Sequence, residues 1–323
     1  MIGLVVDWSI WKSRIMWIYI LRRTLLLIPI FLIISVVVFS LIHMVPGDPI
    51  DSLLGPGSLE SDRDDLVQLY GLDKPLPVQY IIWMKSFILG DMGQSIIEQQ
   101  PVADMIFHNM PFTIYLGVAS LLISFVLGIF LGVISAAFRN TFIDYFAMVI
   151  ALLGVTVPAF WLGLILMLVF SVNLGWFPVS GSGSWETLVL PALTVGLGGA
   201  GLIARITRAS MLEMINKEFV LLLYAKGLAK KTIVIKHIFR NALMPVITIL
   251  GLRLGWILGG AVTIEIVFSR PGIGNMLLTA LYRRDYPVVQ MSLLFLTMAV
   301  IIGAFIADII YVYADPKVRD AYK

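Results

Sequence analysis

Six stretches of this chain are long, apolar and nearly free of charge, and they decide its solvent before any motif does. Runs without Asp, Glu, Lys or Arg cover residues 24–47, 105–138, 145–185, 187–204 and 286–307, and residues 241–264 are interrupted only by Arg253. A bilayer core about 30 Å thick takes roughly 20 helical residues, and only a helix satisfies its own backbone polar groups in lipid. The third run is overlong. Its second part, rich in Ser, Gly, Asn and Pro, reads as a loop, which leaves a span at 145–170. With 59% hydrophobic and 13% charged residues over 323 positions, the chain does not have the make-up of a water-soluble domain.

The fifth span has to carry Arg253, which costs roughly 2.5 to 3.5 kcal/mol at mid-helix. Eleven Leu, Ile and Val residues between Asn241 and Ile264 offset that by ~3 to 7 kcal/mol. The reading is therefore an all-α integral membrane protein with spans at 17–45, 112–137, 145–170, 187–204, 242–264 and 287–313. Residues 1–16 form an N-terminal extension. With Trp8 and Trp11 it reads as an interfacial helix, and a mis-assigned start is an equal alternative.

Orientation follows from the basic residues. With the N-terminus inside, sixteen of the 23 Lys and Arg fall in inside segments and six in outside loops, so both termini are expected in the cytoplasm. Residues 46–111 become a long first outer loop and 265–286 a shorter later one, with 314–323 as an inside tail. Ser61 followed by Asp62, Asp64 and Asp65 predicts a short capped helix in the first outer loop, stopped at Gly71. The apolar residues from Val78 to Leu89 predict an interfacial one. A lid over the spans and a docking face for an outside partner are both open readings of that loop.

The inside segment 205–241 is the most informative stretch. It holds eight basic and two acidic residues, and an apolar run too short to span. A helix from about Glu218 to Lys226 is predicted to end at Gly227, with a second helix running from about Thr232 toward Pro245. A short apolar helix below the membrane suits a groove on a soluble partner; attraction of its basic flanks to anionic lipid is the alternative. The candidate contact residues are Leu221, Leu222, Leu223, Tyr224, Ala225, Lys226, Gly227 and Leu228. The ionisable groups at membrane depth, Arg253, Glu265 and Asp308, are candidates for lining a polar pathway. For Arg253 the alternatives are a structural ion pair, with Asp308 as one pairing, or a carbonyl partner, and snorkelling.

Several chemistries find no support. Cysteine is absent and the three histidines, His43, His108 and His237, are scattered, so no metal site is expected. The glycines at 196, 198 and 201 match a dinucleotide pattern but lie inside the fourth span with no strand before them, and helix packing accounts for them better. No P-loop or hydrolase motif occurs, and a net charge of +3 with no aromatic-basic stripe gives no reason to expect nucleic acid. A stand-alone carrier or channel would explain six spans and buried charge but not the inside segment, and an inverted repeat is not visible. A membrane-embedded enzyme lacks a catalytic constellation.

A series of motifs then adds a resemblance. Pro46-Gly47-Asp48-Pro49, the stretches 71–80 and 90–95, Pro158-Ala-Phe-Trp-Leu-Gly163, residues 205–210, Ala225-Lys-Gly-Leu228, 240–245, Phe268-Ser-Arg-Pro-Gly-Ile-Gly274 and 284–290 together resemble the dipeptide/oligopeptide/nickel permease family of ABC importers. The likeness runs in order through nearly everything after residue 16, and is greatest to the first permease subunit, the type with the long first outer loop. It implies the type I importer permease fold of six transmembrane helices in a prokaryotic inner membrane. The implied partners are a second homologous permease, two cytoplasmic ATPases, an extracytoplasmic substrate-binding protein and membrane lipid. ATP and Mg would sit on the ATPases, with no cofactor and no catalysis on this chain. The segment around Gly227 corresponds to the family's coupling motif. This chain departs from it at Leu221-Leu-Leu223-Tyr224, which is greasier than usual, and Arg253 stands where glutamine is common. Peptides are the implied cargo; nickel or another metal chelate, an oligosaccharide and glutathione are the alternatives.

Overall fold

A computed structural model describes residues 8–44, 67 and 73–314. The Ser61 helix, the Pro46–Pro49 motif and the tail beyond 314 lie outside the described residues. Regular structure among those described is helical, with one isolated bridge between Gln94 and Pro101. The helices are α1 (Trp8–Met44), α2 (Leu76–Ile88), α3 (Val102–Ala137), α4 (Phe142–Thr156), α5 (Ala159–Leu166), α6 (Glu186–Ile215), α7 (Glu218–Ala225), α8 (Arg240–Val267), α9 (Ile273–Tyr282) and α10 (Tyr286–Ala314). Wider π-helical turns continue α5 at Met167–Asn173 and lead into α8 at Ile233–Phe239.

Among the described residues five helices are long and apolar enough to cross a membrane, with a sixth span if one bent pair is counted as one. That pair is the stretch expected as a single span at 145–170. It is instead α4 and α5, turned by 109°. Proline has no N–H and pushes the residue before it out of the helical region, and here Val157 is extended at ψ 128° before Pro158. Other boundaries extend past the expected spans. The helix expected from 112 begins at Val102 and passes through Pro111, and α6 continues to Ile215 rather than stopping at 204. At 30 residues α6 is about 45 Å long, so it outruns a bilayer core. The second helix of the inside segment does not end at Pro245, because α8 runs through it. The ladder has already been widened by the π-turn, and the Asn241 side chain donates to the His237 carbonyl at 2.7 Å.

The centre of the molecule is the pairing of α3 with α6, flanked by α4 and α8. In α6, 56% of the apolar window is buried, against 17% in α1, which makes α6 the hub and α1 a peripheral strut. Without a hydrophobic drive between helices in lipid, close approach has to come from small side chains. A Cβ on Gly128 of α3 would stand 2.6 Å from that of Ile203, and one on Gly201 would stand 2.0 Å from the Ala151 carbonyl of α4. The glycines at 196–201 thus let three helix backbones meet.

Three apolar cores stack along this frame. One gathers Val102, Ile106, Val288 and Leu294 around α3, α9 and α10, a second surrounds Leu116, Leu190 and Phe268, and a third holds Met211, Val220, Ile233 and Ile238 under α6. α2, the expected interfacial helix, lies on the first of these. Its Trp83 and Phe87 pack there, while Ile81 and Ile88 are exposed.

Candidate functional site

The third core positions α7. Lys217 is extended just after α6 ends, Glu218 in the first turn complements the positive N-terminal end of the helix, and eight residues later the helix stops. The stop is complete. The Gly227 N–H reaches the Tyr224 carbonyl at 2.9 Å, the Leu228 N–H reaches Leu223 at 3.3 Å, and Gly227 sits at φ 76°. These two bonds are the Schellman pattern, which needs a left-handed residue and brings the apolar residues on either side of the stop together. Leu223 and Leu228 both pack against the third core.

One face of α7 is therefore spent inward. Val220 is 2% exposed, whereas Leu221 is 74%, Leu222 58% and Tyr224 45% exposed, with Ala225 and Lys226 also open. Covering the two leucines alone is worth about 1.5 to 3 kcal/mol each. α7 is a short, firmly capped helix with a greasy outer face, fixed to the lower end of the most buried span.

Three buried carboxylates fasten the helices of this frame, one near α7 and two at the far end, and only Glu265 stands out in the sequence. Asp144, at the start of α4 and 1% exposed, takes a bidentate pair from Arg208 of α6, both bonds at 2.8 Å. The Ser135 hydroxyl of α3 and the Asn140 N–H also donate to it. The clamp ties α3, α4 and α6 together at the end nearest α7. Asp144 lies outside the uncharged runs, at a helix start, and its place in a first turn is the one sequence signal it carries.

Glu265, a candidate for lining a polar pathway, is fully buried and holds a helix end. Its carboxylate accepts from the Thr113 hydroxyl at 2.6 Å and from the Gly274 and Asn275 N–H groups at 2.8 and 3.1 Å. Thr113 in turn accepts the Ile273 N–H at 2.9 Å. Together they satisfy the open N-terminus of α9 and fasten it to α3. A Cβ on Gly272 would fall 2.2 Å from the Glu265 carboxyl carbon, so only glycine fits that approach. Arg270, 3% exposed, lies 5.8 Å from the Phe112 ring centre.

Asp285, missed by sequence, is 3% exposed and receives the Ser95 hydroxyl at 2.5 Å and the Ile96 N–H at 3.1 Å. It fastens residues 91–101, which lie between α2 and α3, to the turn between α9 and α10. Glu98 and Arg283 add an exposed ion pair at 2.6 Å.

The remaining pathway candidates are not gathered into one cluster with Glu265. Asp308 on α10 accepts from Arg23 Nε of α1 at 2.5 Å, so the structure gives it α1 as a partner. Arg253 is half-buried where α8 meets the α3–α6 seam, its Nη1 3.3 Å from where a Cβ on Gly199 would stand. Among the described residues no group of three or more His, Asp or Glu is placed to hold a metal ion.

Comparison with known proteins gives this geometry its context. Residues 128–320 match the binding-protein-dependent transport system inner membrane component, and residues 16–117 match the N-terminal part of such membrane components. The glutathione transport system permease protein GsiC of Escherichia coli strain K12 is 38% identical over 301 residues, which cover 93% of this chain and 98% of that protein. GsiC of Shigella dysenteriae serotype 1 shows the same identity over the same length. Among solved structures, the MetNI methionine ABC transporter in inward-facing conformations shares the fold, with a TM-score of 0.53 at 21% identity over 68% of this chain and 96% of that one. The chain belongs to the binding-protein-dependent transport system inner membrane component family, as a multi-pass permease subunit of an ABC importer.

Proposed function

We propose that this subunit forms half of the translocation pathway of an ATP-driven importer for short peptides, and that α7 is where the ATPase takes hold. The observation that carries the coupling role is the outer face of α7, Leu221, Leu222 and Tyr224, left open on a helix whose inner face and C-terminal stop are fully engaged. ATP-driven closure of two partner ATPases would move α7 as a rigid body. The Asp144–Arg208 clamp would carry that movement into α3 and α4, and the spans would exchange outward for inward opening. Solute arrives from an outside binding protein, and both termini of this chain lie in the cytoplasm, as its basic residues favour. No bond is made or broken on this chain.

For the cargo, the 38% identity to a glutathione permease along nearly the whole chain favours a peptide of that size, glutathione being itself a tripeptide. The test is reconstitution of this subunit with its second permease, ATPases and binding protein in proteoliposomes, followed with labelled glutathione, di- and oligopeptides and a nickel chelate. ATP-dependent uptake of glutathione or a peptide is expected. Uptake with no nucleotide hydrolysed would overturn the importer mechanism, and ATP-dependent uptake of the chelate alone would overturn the cargo. In the same assay Leu222→Glu and Gly227→Pro should lose transport at normal membrane expression. Normal uptake by both removes α7 from the mechanism.

A further inference from the structure

We infer that the groove between α3 and the start of α8 is a binding site for one anionic phospholipid of the inner leaflet, on the side where this chain carries its basic residues. The groove holds about 670 Å³ and its lining is almost wholly apolar. Phe125, Ile129 and Val133 form one wall, and Ile235, Phe239 and Leu243 form the other. From Phe125 to Val133 the wall is about 12 Å long, which is most of the hydrocarbon depth of a single leaflet. An acyl chain has the right length and chemistry to fill it.

The charge at one end selects the head group. The two walls run antiparallel, and followed in the same direction both end in cations. α3 stops at Ala137 and exposed Arg139 follows, while exposed Lys231 stands one turn before Ile235, next to exposed Lys230. The second wall meets no acid between Glu218 and Glu265, and beyond the first the nearest acid, Asp144, is already bound by Arg208. Nothing acidic along either wall competes with a phosphate. Juxtamembrane Lys and Arg attract anionic lipid at about 1 kcal/mol each, a factor of about five. Long basic side chains also reach to the head-group level while their stems lie along apolar surface. The site lies beside α7 without using its residues, and it stands whatever the cargo.

The experiment uses the assembled transporter in nanodiscs of equal parts phosphatidylcholine and phosphatidylglycerol, each lipid in turn bearing a diazirine on its acyl chain. Labelled phosphatidylglycerol should map to peptides containing Ile129 and Ile235, and should exceed labelled phosphatidylcholine there. Arg139→Gln and Lys231→Gln should each lower that labelling about fivefold, and together by the product. Ile129→Trp, which fills the groove, should remove it while leaving labelling elsewhere on the surface. Equal labelling by the two lipids, or labelling unchanged in the charge variants, would overturn the assignment. So would efficient cross-linking of a cysteine placed at Ile235 to the second permease, because the groove would then be filled by protein.

Discussion

Asp144 and Glu265 are both almost without exposure, yet they do different jobs, and the difference lies in what donates to them. Asp144 meets a guanidinium and joins three helices; Glu265 meets backbone N–H groups and a threonine and closes a helix end. Removing one partner of a buried pair leaves an uncompensated charge, which typically costs about 3 to 5 kcal/mol. Arg208 keeps 29% of its side chain exposed, so Asp144→Asn is expected to cost nearer ~2 kcal/mol. A thermal scan of the purified transporter should show a lowered transition, and Arg208→Lys, which keeps the charge but not the fork, should fall between. No change in either variant would remove the clamp from the stability of the fold. Sequence made Glu265 visible because an acid near a span is conspicuous. It did not make its role visible, since Thr113 and the Gly274 N–H come from positions 152 residues before it and 9 after it.

At the scale of elements, what could be read depended on how local the controlling physics is. The short helix ending at Gly227 follows from a glycine that alone takes φ 76° cheaply, and the apolar run before it is confined to the seven residues between Glu218 and Lys226. The six apolar stretches likewise follow from composition within each. The bend between α4 and α5 was locally signalled by Pro158, but hydropathy sums ignore direction, so a broken pair and a straight span look alike to them. The helix through Pro245 shows the converse, a proline whose cost is met by surroundings the sequence does not display. The glycine seam supplies a prediction at this scale. Gly201→Val should displace α4, because the backbone carbonyl of Ala151 stands 2.0 Å from the new Cβ, and backbone cannot rotate away. Gly198→Ala meets its nearest carbonyl at 3.4 Å and should be tolerated. Yield of folded protein after detergent extraction distinguishes the pair; equal yields would contradict the seam.

Taken whole, the molecule is a frame with one open apolar face, on α7. α6 is its most buried span, α3 and α4 are bound to it by missing side chains and by Arg208, and α7 hangs from its end. The end away from α7 is held separately, by Asp285 on the 91–101 segment and by Glu265 under α9. Ser95→Ala should therefore raise amide hydrogen exchange at Ile96 and Ile97 while leaving Val220 protected, since the two regions share no bonded group. Loss of protection at both ends would mean that the frame opens as a unit.

Leu221 and Leu222 also matter to a cell that has made this chain but not yet its companions. Two leucines wetted on a rigid stub are what chaperones and proteases recognise, so an orphan copy advertises its own incompleteness. Its lifetime in pulse-chase should lengthen when the ATPases are co-expressed. Substituting both leucines with serine should prolong the orphan's life without them, because the exposed apolar face, and not the missing companions as such, is what marks it.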